Sequence, residues 1–340
     1  MKSLKRVLVI LLAVGMLVGC AFSGFAAPAP KVGIVFDIGG LGDQSFNDSA
    51  YVGLKRLANE LGYDTRYVES NTPSDYEPNL ASLAREGYDV VWGIGFLMAD
   101  AIQKVAKQFP NTKFGIIDHG YSDDEYKDIS NVLGILYKEH EGSFLIGVLA
   151  ALTTETNTVG FVGGMDIPVI HRFEAGYKAG VWKINPNINI IVNYSGVFDD
   201  PGKGKTITES MFRRKADVVF HAAGSTGIGV IRAAEDHGKW AIGVDSDQNH
   251  LAPNNVLNSM IKRVDVGVFE GTKMLLKPGF TGRTVVLGLR ENAVGLAPEK
   301  SNRASAAATA KAREWANIIA RGEYVVPEFP AEADKLYKKK

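Results

Sequence analysis

Cysteine is nearly absent from this chain: Cys20 is the single one in 340 residues. One thiol excludes an internal disulfide, and with it any small fold held together by covalent bridges. Excess charge is missing too, since 38 Lys+Arg balance 38 Asp+Glu. A chain with no basic surplus offers no footprint for a phosphate backbone, so nucleic acid is not expected as a partner. The apolar run at 7–18 is too short for a comfortable membrane span. The six histidines, at 119, 140, 171, 221, 237 and 250, show no i, i+4 pair and no HExxH spacing, which leaves zinc without ligands. No G-x-S-x-G elbow occurs, and Ser225 has no evident histidine relay.

What is present is ample for a packed core, with 46% hydrophobic and 9% aromatic residues. At roughly 150 residues per domain the length suggests two lobes. The first twenty residues stand apart: Lys2, Lys5 and Arg6 precede the run at 7–18, the order of a secretory leader. The leader ends Leu17-Val18-Gly19-Cys20, which resembles a bacterial lipobox. Residues 1–19 then read as a lipoprotein signal peptide, Cys20 as the lipidated first residue and 20–30 as a tether. The alternative is cleavage after Ala26, where Gly24-Phe25-Ala26 supplies small residues. On either reading the remainder is exported; on the first it is anchored to the membrane by lipid.

From Lys31 onward, short β-branched runs alternate with helical periods, the pattern of α/β layering around largely parallel sheets. Strands are predicted at 31–36, 65–69, 89–93 and 113–117, then at 159–163, 188–194, 218–221, 240–244, 256–262 and 284–287. Helices are predicted at 46–61, 140–153, 264–277 and 303–321. In the first of them Tyr51, Leu54, Leu57, Ala58 and Leu61 recur at three- and four-residue steps, and Gly62 supplies a stop. Two doubly wound lobes would turn the carboxyl ends of both sheets toward one cleft. Polar groups do follow the strands: Asp37, Gly93 to Phe96, Asp118, Gly163 to Asp166, Ala222 to Gly227, and Asp245.

The loop Asp37-Ile38-Gly39-Gly40-Leu41-Gly42-Asp43-Gln44-Ser45-Phe46-Asn47 concentrates glycines, carboxylates, an amide and an aromatic at a helix start. A plain strand-to-helix turn capped by Ser45 or Asn47 would use some of the same residues. Phosphate is a poor guest beside Asp37 and Asp43 with no lysine in the loop. Gly202-Lys203-Gly204-Lys205-Thr206 lacks the leading glycine of a P-loop, having Asp199 there, and Gly224-x-x-Gly227-x-Gly229 reverses the dinucleotide spacing. No cofactor is expected.

Taken together, Asp37-x-Gly39-Gly40-x-x-Asp43-x-Ser45-Phe46-Asn47, Gly95-Phe96-Leu97-Met98, Val162-Gly163-Gly164-Met165-Asp166-Ile167-Pro168, Phe173-Glu174-Ala175-Gly176-Tyr177, His221-Ala222-Ala223-Gly224 and Gly243-Val244-Asp245-Ser246-Asp247-Gln248 resemble the motifs of the basic membrane protein family. These are lipoprotein receptors of ABC importers, and the best understood branch binds purine nucleosides. The resemblance spans 31–325. It implies a type I periplasmic-binding-protein fold: α/β, two doubly wound Rossmann-like lobes, and three hinge crossings near 133–137, 257–260 and 282–285. One lobe would take 31–134 plus 261–281, the other 137–256 plus 284–325.

The resemblance also implies roles for residues. Phe46 and Phe220 would stack on the two faces of a base from opposite lobes, although either could instead belong to the core. Asn47 and Asp118 would meet the base edge. Asp245 and Lys262 would hold the ribose hydroxyls, with Asp37 as a further acceptor, although an acid and a base in one cleft could be an ordinary ion pair. Trp92, Phe96, Phe173 and Gly224 are further wall candidates. The implied partners are a purine nucleoside (inosine, guanosine or adenosine), ABC permease subunits and the membrane. A different flat ligand such as riboflavin is one alternative, and a nucleoside hydrolase or dehydrogenase is another; the preferred reading makes no bond and breaks none.

Overall fold

A computed structural model describes residues 28–337. The leader, Cys20, the lipobox and Ala26 lie outside the described residues. Among the described residues no helix is long and apolar enough to cross a membrane.

The first sheet is built from β1 (Lys31–Phe36), β2 (Asp64–Val68), β3 (Val90–Ile94), β4 (Lys113–Ile117) and β5 (Val132–Tyr137), with the late strand β11 (Arg283–Leu287) at one edge. Its order is β11-β5-β4-β3-β1-β2, and every pair is parallel. The second contains β6 (Thr158–Gly163), β7 (Asn189–Tyr194), β8 (Val218–Ala222), β9 (Trp240–Asp245), β10 (Val256–Lys262) and the short β12 (Val294–Leu296). Its order is β12-β10-β9-β8-β6-β7, parallel except for the β10–β12 pair. The central strand β3 is buried along its whole length, as a sheet covered on both faces requires.

In each sheet the first strand is flanked by the second and the third, so the chain reverses its winding there and leaves a crevice at the carboxyl ends. The helices α1 (Phe46–Leu61), α2 (Tyr76–Arg85), α3 (Ala99–Gln108) and α4 (Asp123–Asp128) return the chain of the first sheet. The first of these matches its predicted bounds. It buries Ala50, Leu54 and Leu57 and stops at left-handed Gly62, whose N–H bonds back to Ala58. The second sheet carries α5 (Glu139–Thr153), α6 (Pro168–Ile184), α7 (Pro201–Arg213) and α8 (Thr226–His237); α9 (Val264–Leu275) returns to pack on α1. The closing helices are α10 (Ala306–Ala320) and α11 (Pro330–Tyr337), the latter not anticipated. The lysine-rich string at 202–206 lies within α7, which removes it as a phosphate loop.

Among the described residues the chain passes between the sheets three times, but not at the residues the resemblance implied. β5 stays in the first sheet through Tyr137 and β10 in the second through Lys262, so the passages fall at Lys138, at Arg263 and in 288–293. β11 completes the first sheet in register with β5, from Arg283 opposite Leu133 to Leu287 opposite Tyr137, rather than belonging to the second lobe. Each passage thus lies just beyond a strand end, and Lys138 N–H still donates to Leu287 O at 2.8 Å and Arg263 N–H to Ala293 O at 2.8 Å. We therefore assign 31–137 with 264–287 to one lobe and 139–262 with 294–337 to the other.

Candidate ligand-binding site

A cavity lined by residues of both lobes opens at the carboxyl ends of the two sheets, where doubly wound folds place their ligands. From the first lobe, the loop after β1 contributes Asp37, Gly39, Asp43, Phe46 and Asn47; β3 is followed by Gly95 and Phe96, and β4 by Asp118. The second lobe supplies Val169, Ile170 and Phe173 from α6, Phe198 after β7, Ala222 at the end of β8 with Ala223 to Ser225 after it, Asp245 at the end of β9, and Lys262. The structure thus brings together Asp37, Phe46, Asn47, Phe96, Asp118, Phe173, Gly224, Asp245 and Lys262.

Phe220 does not join them. It sits in the middle of β8, fully buried, with its ring 5.6 Å from that of Phe161 and 5.4 Å from that of Tyr177. Its side chain points into the second lobe's core because it falls on the packed face of the strand, opposite Phe161 in register. Trp92 is likewise a core residue, and its indole N–H donates to Thr272 Oγ1 at 2.9 Å. The second-lobe aromatics at the cavity are Phe173 and the unanticipated Phe198. Phe198 stands in the loop after β7, whose shape is fixed by Thr226 N–H and Ser225 Oγ donating to Phe198 O, each at 3.1 Å. Its ring lies on Gly164, where a Cβ would come within 2.2 Å of it. The strand-end rule, applied to β7 as to its neighbours, points to this loop.

The loop after β1 is held by its own carboxylates. Asp43 accepts from the backbone N–H groups of Ser45 (2.9 Å), Asn47 (2.8 Å) and Asp48 (3.1 Å), which caps α1 and aims Phe46 and Asn47 at the cavity. Asp37 Oδ1 accepts from Gly39 N and from Asn47 Nδ2, both at 2.9 Å. Asn47 Oδ1 is left buried without a partner. Burial, partly offset by those backbone bonds, pushes the Asp43 carboxyl up to about 7, and burial likewise raises that of Asp37.

Charge gathers at the cavity floor. Lys262 is 1% exposed, and its Nζ donates to Asp118 Oδ2 at 2.7 Å. It lies 3.0 Å from Glu139 Oε1, and the rings of Tyr137, Phe46 and Phe173 stand 5.1, 5.2 and 5.5 Å from it. Glu139 also takes Arg172 Nε, at 2.6 Å. Asp118, just past the fourth strand of its lobe, and Asp245, the last residue of the fourth strand of the other, lie in the left-handed region at φ 66° and 62°, a conformation Asp tolerates better than most residues. Asp118 Oδ1 has no partner, while Asp245 accepts from Ser45 Oγ. Burial, opposed by Lys262 and Ser45, raises Asp245 to about 6; it raises Asp118 as well, against the pull of Lys262. On Glu139 burial is outweighed by Lys262 and Arg172, which hold its carboxyl below the usual range. Neither Glu139 nor Arg172 was anticipated, because an ion pair 33 positions apart leaves no local pattern.

The lobes also meet beside the cavity. Gln248 Nε2 donates to Gln44 O at 3.1 Å, and its Oε1 accepts from Val244 N–H at 2.9 Å and lies 3.0 Å from His221 Nε2. Among the described residues no group of His, Cys, Asp or Glu is arranged to hold a metal ion. The assembled surface offers aromatic faces, unfilled acceptors and one ammonium, which suits a flat, hydroxylated molecule.

The chain is similar to known proteins in sequence and in fold. The sequence profile of a family described as ABC transporter substrate-binding protein, PnrA-like, matches residues 30–328. The chain is 42% identical over 321 residues to a CD4+ T-cell-stimulating antigen of Listeria monocytogenes, covering 88% of each. It is 36% identical over 355 residues to the ABC transporter nucleoside-binding protein BmpA of Lactococcus lactis, covering 95% of this chain and 99% of that one. Among solved structures, an ABC transporter solute-binding protein of Aeropyrum pernix K1 superposes with a TM-score of 0.79 at 30% identity, covering 90% of this chain and 96% of the other. Two parallel-dominated doubly wound sheets, a cavity at their facing carboxyl ends and this extent of similarity lead to one conclusion: the chain belongs to the basic membrane protein family of PnrA-like ABC transporter substrate-binding proteins.

Proposed function

We propose that the protein is the solute-capturing subunit of an ABC importer and that its cavity takes a purine nucleoside, inosine, guanosine or adenosine, and releases it unchanged. The observation that carries this reading is the pairing of Phe46 in one lobe with Phe173 and Phe198 in the other, around the unfilled acceptors Asn47 Oδ1 and Asp118 Oδ1. The rings would cover the faces of the base, and the two acceptors would meet its edge. Asp245, Lys262 and Asp37 would receive the ribose hydroxyls. A single ammonium set among four cavity carboxylates, Asp37, Asp43, Asp118 and Asp245, disfavours a phosphorylated guest.

Capture would draw the lobes together, because the guest gains contacts with both only in the closed state. The permease subunits would then receive the closed form. Export and anchoring through Cys20 would keep the receptor at the outer face of the membrane, consistent with the leader; the nucleoside-binding name of the Lactococcus relative supports the choice of guest.

Calorimetry with inosine, guanosine, adenosine and riboflavin, together with mass spectrometry of the solution afterwards, tests the proposal. One equivalent of intact nucleoside bound per chain is expected. Preference for riboflavin would move the reading to another flat ligand, and accumulation of free base would make the protein a hydrolase.

A further inference from the structure

We propose that Glu139 and Arg172, which do not line the cavity, are positioning residues: their ion pair holds the Lys262 ammonium between two carboxylates, so that Asp118 keeps one oxygen for the ligand. The inference rests on the reading of this cavity as the ligand site.

Glu139 is the first residue of α5, just past the first passage between lobes, and is fully buried. Lys262 is the last residue of β10, just before the second. Arg172 reaches Glu139 because α6 lies unusually close to α5: a Cβ on Gly176, one turn further along the same face, would stand 2.1 Å from His140 O. The pair therefore ties both connecting segments to the helix that carries Phe173.

The division of contacts is specific. Glu139 Oε2 is taken by Arg172 at 2.6 Å, which leaves only Oε1, at 3.0 Å, for Lys262. The ammonium makes its shorter contact, 2.7 Å, with Asp118 Oδ2, and Asp118 Oδ1 stays buried and unfilled. Without Arg172, both oxygens of a desolvated Glu139 would compete for the one ammonium, drawing it from Asp118. Without the charge on Glu139, the ammonium would settle on Asp118 and mask it.

The charged and titratable groups facing Asp118 are Lys262 from β10, Glu139 from α5, Arg172 from α6, Asp37 beyond β1, Asp245 beyond β9 and Tyr137 from β5. Two variants should move its titration in opposite directions, which general loosening of the fold would not do. Carboxylate carbon NMR of the ligand-free protein reads that titration, with Asp118→Asn identifying the signal. Glu139→Gln removes a neighbouring negative charge and should lower the Asp118 midpoint by about one pH unit; Arg172→Met should raise it by about as much. Arg172→Lys, which keeps the charge, should stay near the wild type. Inosine affinity at neutral pH should fall by roughly tenfold in the Gln and Met variants.

Midpoints that move together, or not at all, would overturn the positioning role, and the isosteric Glu139→Gln carries the test alone if Arg172→Met does not fold. Failure of the wild type to bind inosine would instead remove the nucleoside reading, while the titration would still decide the role of the ion pair.

Discussion

The two lobes share a strand order and differ in what they place at the strand ends. A left-handed aspartate stands at the carboxyl end of the fourth strand of each, Asp118 just past it or Asp245 as its last residue, but the fifth ends in Tyr137 in one lobe and Lys262 in the other. The first lobe's wall is a polar loop whose carboxylates organise its own backbone. The second lobe's wall is mainly apolar, with Val169, Ile170, Phe173, Phe198 and Ala222 to Ala223. A repeated topology thus places both walls at the strand ends, while the side chains at matching positions make them differ in polarity.

The difference at the fifth strand should be the most costly to erase. Lys262→Met makes the second lobe more like the first and leaves Asp118 and Glu139 buried without their shared cation. Urea unfolding should show a loss of about 3–5 kcal/mol, and calorimetry should show no nucleoside binding. Wild-type affinity in that variant would remove Lys262 from the site.

Faces and core separate next. Phe220→Ala opens a cavity in the second lobe and should cost roughly 3–5 kcal/mol of stability with little change in ligand affinity. Phe198→Ala should do the reverse, weakening nucleoside binding by about tenfold or more at near-normal stability. Exchanged outcomes would restore Phe220 as the stacking ring. Gly164→Ala, which pushes the Phe198 ring out of place, should weaken binding by less than Phe198→Ala does.

The smallest effects are in the pH dependence, where two buried groups, one from each lobe, have opposite signs. Asp43, in the first lobe, is raised from 3.8 to about 7. Its folded form favours the proton, so its contribution to stability is complete below about pH 3.8 and is lost as pH rises through about 7. His221, in the second lobe, is lowered from 6.5 to about 4 by burial. Its contribution is complete above about pH 6.5 and is lost as pH falls toward 4. Relative to the wild type, Asp43→Asn should therefore recover stability as pH rises from 4 to 7, and His221→Gln as it falls over the same range. Parallel slopes in urea titrations would contradict these assignments.

Most strands, and the helix at 46–61, could be read from periodicity, because their apolar faces repeat within a few residues. The candidate site was readable wherever a polar residue directly follows a strand, as with Asp37, Asp118 and Asp245. Phe198 was passed over because the loop after β7 was not given the same weight. Phe220 was misplaced because a phenylalanine near a strand end can face either way, and only its partners Phe161 and Tyr177 show which. Glu139 and Arg172 carry no sequence signal as a pair.

By itself, then, the sequence determined the α/β layering, the family and the ring of residues that meets at the strand ends, since local patterning dictates where strands stop. Tertiary packing alone decided which aromatic faces the cavity, where the chain passes between lobes, and how one buried ammonium is shared. Those outcomes depend on contacts between distant segments, and on desolvation that exists only once the lobes have formed.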